Sequence, residues 1–282
     1  MSLLSLLAFG LLLNAAASLL VFWRGSLDAG GAAVGTVVGT LIFAFGGPLF
    51  WIVLMSFFVS STAFGRVRRT QKELLSAIHQ KGGRRDLFQV LANGGMGMFT
   101  AVLYRLTGDP AWAAGFAVSF ASSNADTWAS ELGVLSRSDP VSLLTFQPVP
   151  RGVSGGVSPL GCIVSFGGAF FIALIFAVEN LSLGIFPGGF LRLAAVITAG
   201  GFIGSLLDSL LGATLQAQYA AEAGNHAEST GTAVMLTERS RSDDGTPRRL
   251  VRGLPFANND VVNFASCAMV TLAAVLLSPL LF

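Results

Sequence analysis

Ser122-Ser123-Asn124-Ala125-Asp126-Thr127-Trp128-Ala129-Ser130-Glu131 is the stretch whose reading decides the fold. It places two carboxylates, an amide and four hydroxyls inside a segment otherwise apolar enough to cross a membrane. An ionisable group at that depth costs roughly 2.5–3.5 kcal/mol on insertion scales, so it usually marks a site. Three other segments repeat the anomaly: Arg151-Gly152-Val153-Ser154-Gly155-Gly156-Val157-Ser158, Asp208-Ser209, and Asn258-Asn259-Asp260 with Asn263. The expectation is that all four meet at one membrane face.

Composition supports the membrane reading. Hydrophobic residues make up 53% of the chain and charged residues 11%, against about 25% charged in a soluble domain. The fold expected is all-α: a polytopic helical membrane protein, with residues 1–282 as one integral membrane domain. Hydropathy marks eight spans, near 2–22, 29–45, 48–64, 87–106, 111–135, 152–178, 191–215 and 258–282. Each approaches the ~20 residues that the bilayer core requires. Gly46-Gly47-Pro48 separates the second and third, which suggests a tight hairpin; if that pair is short or tilted, six or seven true spans remain. Residues 1–22 carry no basic leader and read as a first helix rather than a cleaved signal. Cys162 and Cys267 stand singly in apolar segments, as packing residues do.

Basic residues set the orientation. The basic loop 65–86 and the polar loop 216–257 hold most of them, and Arg24, Arg137 and Arg151 flank turns on the same side. Only Arg105 and Arg192 fall opposite. The positive-inside rule makes the loaded side cytoplasmic, the inner or plasma membrane side in a prokaryote. The polar segments of the fourth to eighth spans then all lie near the cytoplasmic face. Ser123-x-x-Asp126-Thr127 and Ser205-x-x-Asp208-Ser209 share a pattern on two inward-running spans, the mark of a weak parallel repeat.

Each polar group has a bland reading beside the functional one. At 100° per residue, Ser123, Asn124, Asp126, Thr127, Ser130 and Glu131 share an arc of about 160°. Such an arc suits a divalent metal and phosphate, because carboxylate and amide oxygens match Mg²⁺. The alternative is a hydrogen-bond network that only joins helices. The Gly152–Ser158 run lets backbone N–H groups approach an anion ahead of Pro159, and Arg151 adds a phosphate contact; the alternative is a hinge or packing strip. Asp208 shares a small-residue face with Gly201, Ser205 and Gly212, and reaches either a metal or a neighbouring backbone. Asn259, Asp260 and Asn263 are spaced to point oxygens one way, with helix capping by Asn258 or Asn259 as the plainer role. The basic loop 65–86 is first a topology determinant, and His79 and His226 read as solvated loop residues.

These blocks, in this order, resemble the transmembrane protein 19 family, formerly domain of unknown function 92, which includes plant phytyl-phosphate kinases. The match rests on Arg24–Leu27, Phe57–Ser61, Arg85–Asp86 with Gln89–Gly94, Asn124–Ser136, Gly152–Gly161, Gly201–Gln216 and Asn258–Asn263. Asn258 stands where the family pattern often has an aromatic residue or glycine.

The resemblance implies a prenyl monophosphate kinase of the phytyl or geranylgeranyl type. A nucleoside triphosphate, CTP ahead of ATP, would donate a phosphoryl group to a lipid monophosphate and give a prenyl diphosphate. Asp126, Glu131, Asp208 and Asp260 are assigned to catalysis and to Mg²⁺. Arg151, Ser154, Gly155, Gly156 and Ser158 would cradle phosphates, and Asn124, Asn259 and Asn263 would complete the metal shell or hold phosphate oxygens. The partners expected are the prenyl lipid, the nucleotide and membrane lipid, without nucleic acid; a homo-oligomer is allowed. A prenyl tail needs a groove, and Gly94, Gly95, Gly97, Gly201 and Gly204 are the small residues expected to border it. The rival class is a transporter or flippase of a phosphorylated lipid or small anion, because Gly-broken helices and half-buried carboxylates also suit transport. Outer halves almost without polar residues weigh against a through-path.

Overall fold

The computed structural model describes residues 2–67, 84–187, 189–220, 236–242 and 244–281. Among the described residues, seven helical elements carry the fold: α1 (Leu3–Trp23), α2 (Ala29–Gly65), α3 (Leu87–Thr107), α4 (Pro110–Gly133), α5 (Pro159–Leu183), α6 (Phe190–Thr214) and α7 (Asn259–Leu281). Six of them are long and apolar enough to cross a membrane; α4 is the exception. Lys72, Lys81, His79 and His226 lie outside the described residues.

The sequence places the helix ends through local chemistry. Asp28 accepts from the Gly31 N–H at 2.7 Å and opens α2. Asp86 and Gln89 form a reciprocal capping box at the start of α3. Asp109 and Ser158 each cap a helix whose first residue is proline. Gly108 and Gly184, with φ of +70° and +63°, end α3 and α5 in the left-handed conformation.

The hairpin expected around residue 47 is present inside α2. Gly47 adopts φ +80° and Pro48 follows it. Asn14 Oδ1 accepts from Trp51 Nε1 at 2.9 Å and also lies against Gly39. In one straight helix Gly39 and Trp51 would stand about 18 Å apart. Arg66, just beyond α2, reaches back to the Ser26 hydroxyl just before it, at 3.5 Å. The chain therefore reverses at Gly47, and every expected span has a helical counterpart.

α4 falls short in hydropathy because it meets little lipid. Ala111 and all residues from Ala113 to Ala125 are buried, enclosed by α2, α3, α5, α6 and α7. Small residues allow this. Gly97 of α3 lies against the Phe120 ring, Gly168 of α5 against the Asn124–Ala125 backbone, and Gly201 of α6 against Ala121. The end of the bundle opposite the polar segments is filled by aromatic rings. Phe50 stacks on Phe116 at 4.2 Å between centroids and on Tyr104 at 5.4 Å, with Phe176 beside them.

One correction concerns the connections. The sixth span starts at Pro159, not 152, because Ser158 caps the helix and the Gly/Ser run before it folds as a loop. In that loop β1 (Val141–Ser142) pairs antiparallel with β2 (Gly156–Val157). Among the described residues of the polar loop 216–257, β3 (Gln218–Ala220), β4 (Leu236–Thr237) and β5 (Leu250–Arg252) form a three-stranded sheet with β3 central. At its base Gln216 and Gln218 are buried, at 1% and 2% exposure.

Candidate functional site

The polar segments converge as expected. α4 and α6 run parallel, and the glycines of α6 set their spacing. Gly200 lies against Val118, Gly201 against Ala121 and Gly204 against the Ser122 side chain, leaving no room for Cβ atoms at Gly201 or Gly204. Close approach of the helices brings the next polar turn of each together, so that the Asp126 and Asp208 carboxyls are in hydrogen-bonding contact. The two halves of the weak repeat thus lie side by side.

α7 holds Asp208 from the third side. Ser266 Oγ donates to Asp208 Oδ1 at 2.9 Å. With its amide oriented to suit its neighbours, Asn263 donates to the same oxygen and to the Asn259 carbonyl, both at 3.0 Å. Asp260 lies in the first turn of α7, 7% exposed. Asn258 takes the plainer role, accepting from the Val261 N–H at 3.0 Å.

These groups face a polar basin of about 1130 Å³ at the end of the bundle rich in basic residues. Asp126, Glu131, Asp208, Asp260 and Asn259 line it, as do Arg151 and the whole Gly152–Ser158 run. Arg24, Arg66, Arg84 and Arg85 supply positive charge across from the carboxylates. Burial lowers the Arg85 pKa from the usual arginine value, and the facing Glu131 carboxylate works in the opposite direction.

A second cavity, about 240 Å³, runs from the basin into the bundle between α1, α2 and α3. Arg85, Gln89, Asp126, Ser130, Glu131 and Asn259 border both spaces, so the two adjoin. Deeper in, the walls are mainly apolar, with Val21, Leu27, Val38, Leu54, Met55 and Phe57 among them. Asn263 lines this inner cavity.

Three assignments change with the structure. Asn124 is fully buried and turned away from both spaces. Its Oδ1 accepts from Ser60 and Ser61 at 3.1 and 3.4 Å, and its Nδ2 donates to the Gly168 carbonyl at 2.8 Å. It joins α2, α4 and α5, the bland reading of its helix face, and that leaves its amide no part in a metal shell. Ser158 Oγ serves as the α5 cap and donates to the Gly133 carbonyl at 3.2 Å, so its hydroxyl is already engaged. Gly97 and Gly204 pack helices and border no groove; of the expected glycines, Gly94 lines the inner cavity.

The Gly/Ser run is held from two sides. Gly155, at φ +86°, sits against Ala213 at the end of α6, where a Cβ would be 2.5 Å from the alanine Cβ. Ser154 Oγ donates to Glu238 Oε1 at 2.8 Å, and Gln216 Nε2 donates to the same oxygen at 2.8 Å. Arg252 donates to the carbonyls of Ser154 and Gly212 at 3.2 and 3.4 Å. Burial pulls the Arg252 pKa down. Arg151 donates to Asp139 at 3.4 Å and to the Arg137 carbonyl at 3.0 Å, which holds it at the rim.

Sequence reasoning missed Glu238 and Arg252 as site-forming residues. Both sit in a loop whose charge had a sufficient explanation in topology, and no local spacing ties them to Ser154. Glu238 also lines the basin and interacts electrostatically with Asp208.

Among the described residues, no three acidic, histidine or cysteine side chains form a ready metal cage. The donor set still fits Mg²⁺, which is commonly bound by one or two carboxylates while substrate phosphates and water fill the other positions. Two carboxyls in contact at the edge of an open basin are such a partial site. Cys162 and Cys267 are free thiols, and Cys267 is buried against Ser119 and Ser123, consistent with packing.

Comparison with known proteins agrees with the architecture. The chain is 30% identical to protein PGR of Arabidopsis thaliana over 228 residues, covering 74% of this chain and 79% of that one. It is 31% identical over 211 residues to the chloroplastic protein VTE6 of the same plant, covering 71% and 61%. An uncharacterized membrane protein of Methanocaldococcus jannaschii is 32% identical over 191 residues, covering 67% and 75%. No solved structure matches. The sequence model of one family matches residues 12–271, nearly the whole membrane domain and every wall of the basin, and the chain belongs to that family, integral membrane protein DUF92.

Proposed function

We propose that this protein is a prenyl monophosphate kinase, which transfers the terminal phosphoryl group of a nucleoside triphosphate to the phosphate of a lipid monophosphate. The products are a prenyl diphosphate and a nucleoside diphosphate. One observation carries the reading: Asp126, paired with Asp208, stands where a wide polar basin meets a mainly apolar cavity. A phosphate head with a hydrocarbon tail has the same division. The resemblance to plant phytyl-phosphate kinases supplies the substrate class.

Phosphoryl transfer needs positioning and charge neutralisation more than covalent chemistry. Asp126 and Asp208 would hold Mg²⁺, with Asp260 and Glu131 at its margin. The ion, when bound, neutralises phosphate oxygens and aligns them. Ser266 and Asn263 fix the orientation of Asp208. The Gly152–Gly156 loop and the arginines at 24, 84, 85 and 151 would receive phosphate oxygens. The acceptor is already an anion at neutral pH, so no general base is required. The positive-inside rule supports a cytoplasmic basin, where CTP or ATP is available.

Transport is the alternative, and the aromatic plug of Phe50, Phe116 and Phe176 opposite the basin speaks against a through-path. The deciding experiment supplies purified protein with a twenty-carbon prenyl monophosphate, Mg²⁺ and each of CTP, ATP, GTP and UTP. Prenyl diphosphate should appear with at least one nucleotide, CTP first. Lipid movement across proteoliposomes without any diphosphate product would replace the kinase with a flippase.

A further inference from the structure

We infer that the cavity between α1 and the α2 hairpin is the binding site for the substrate's hydrocarbon chain, with Ala17 and Gly35 as the residues that test its length; this rests on the lipid-phosphate reading of the basin. Three observations place the chain there. The cavity adjoins the basin at Asp126 and Glu131, where the head group would be held. Its deeper walls are mainly apolar, with Asn14 and Ser18 among the polar exceptions. Its depth is set by residues at matching levels of antiparallel segments. Ala17 lies seven residues before Arg24, and Gly35 seven after Asp28, so both are about 10 Å from the basin end at 1.5 Å per residue. Asn14 and Val38 lie about 15 Å in by the same measure, and Leu54, counted from Arg66, about 18 Å.

The inner end has a built floor. Asn14 is 2% exposed, although α1 leaves most of its surface outside the bundle. Its Nδ2 donates to the Gly10 carbonyl at 2.8 Å, and its Oδ1 accepts from Trp51 at 2.9 Å. That bond joins α1 to the far arm of the hairpin and closes the space between them. α1 packs chiefly on α2, so the cavity wall is a helix held by few other elements.

Gly35 gives a clean test. A Cβ there would have only ordinary contacts, 3.6 Å from Ser18 Oγ and 3.8 Å from Leu27 Cδ1. A leucine would therefore fill cavity rather than collide with backbone. Each buried CH₂ contributes roughly fourfold to binding, so displacing two of them should cost about tenfold or more.

The experiment measures binding of five-, ten- and twenty-carbon prenyl monophosphates to Gly35→Leu and Ala17→Leu, with Ala33→Leu on the exposed face of the same helix as a folding control. In parallel, a lipid monophosphate with a photoreactive group midway along its chain is crosslinked to wild-type protein and the labelled peptides are mapped. The expected result is weakening of at least about tenfold for ten- and twenty-carbon chains, no change for the five-carbon chain, no effect of Ala33→Leu, and labels on α1 and α2. Equal loss at every chain length, no loss at any, or labels confined to other helices would overturn the inference, as would absence of labelling. Labels on α1 and α2 without diphosphate product in the nucleotide assay would keep the chain site and remove the kinase.

Discussion

The two ends of this bundle are made from the same helices and solve opposite problems. At one end Phe50, Phe116, Phe120 and Phe176 close the interior with rings 4.2–6.5 Å apart. Dispersion between rings fills that space. At the other end the same α4, α5 and α6 carry Ser, Asn, Asp and Gly, and the interior stays open. Lipid offers no hydrophobic drive for helix association, so close packing and interhelical hydrogen bonds must supply it. Asn124 and Ser266 do so at the open end without filling it. The closed end can therefore be rigid while the open end remains free to hold ligands. Two buried polar residues lie toward the closed end: Asn180 pairs with the Phe186 backbone, while Glu179, at 7% exposure, has no partner for its oxygens among the described residues.

The largest effect that could break this division concerns the carboxyl pair. Asp126→Asn or Asp208→Asn should lower turnover by about a thousandfold or more, because a metal's charge stabilisation is worth several kcal/mol. Folding should survive, since asparagine keeps the shape and the hydrogen-bond geometry; detergent-extracted yield and melting temperature check that. Retention of most activity by both variants with Mg²⁺ would move the pair to the structural side. Removal of Mg²⁺ by chelation should reproduce the loss and be reversed by adding the ion back.

Phe116→Ala addresses the closed end. It should cost on the order of 3 kcal/mol in stability while substrate affinity of the remaining folded protein stays near wild type. An affinity loss as large as the stability loss would mean that the two ends are not independent.

Gly204→Ala lies between the ends. Its methyl group would meet Ser122 and push α6 from α4, costing about 1–3 kcal/mol and spreading the carboxyl pair. Activity should fall equally on short and long prenyl chains, in contrast to Gly35→Leu. A chain-length preference in Gly204→Ala would return the tail to the α4–α6 seam.

The smallest expected change is Ser158→Ala. Loss of the α5 cap should cost about 1 kcal/mol, seen as a lower melting temperature with little change in nucleotide affinity. If affinity falls more than stability, the hydroxyl contacts phosphate after all.

The sequence by itself determined the helices, their order and the gathering of carboxylates, glycine loop and arginines at one end. Those features follow from transfer energies, capping rules and charge bias, which act over a few residues or on one segment at a time. Asp126 with Asp208, and Asn263 with them, were legible because a charged or amide group inside a span has little reason to be there except a partner. The family resemblance added the order of the blocks and the substrate class.

Tertiary structure alone decided what each polar group touches. Asn124 and Asp126 stand two residues apart on one polar arc, yet Asn124 faces Ser60, Ser61 and Gly168 while Asp126 faces the basin. The difference lies in the helices packed beside α4, and no periodicity in α4 records it. The same limit hid Glu238 and Arg252, which reach Ser154 across 84 and 98 residues of chain. It hid the role of each glycine, because Gly97, Gly204 and Gly35 are alike in sequence and differ only in having a ring, a serine or an empty cavity opposite. Where packing surfaces from distant segments must meet, the composition of each surface is written locally, and the identity of its partner is fixed only when the chain closes on itself.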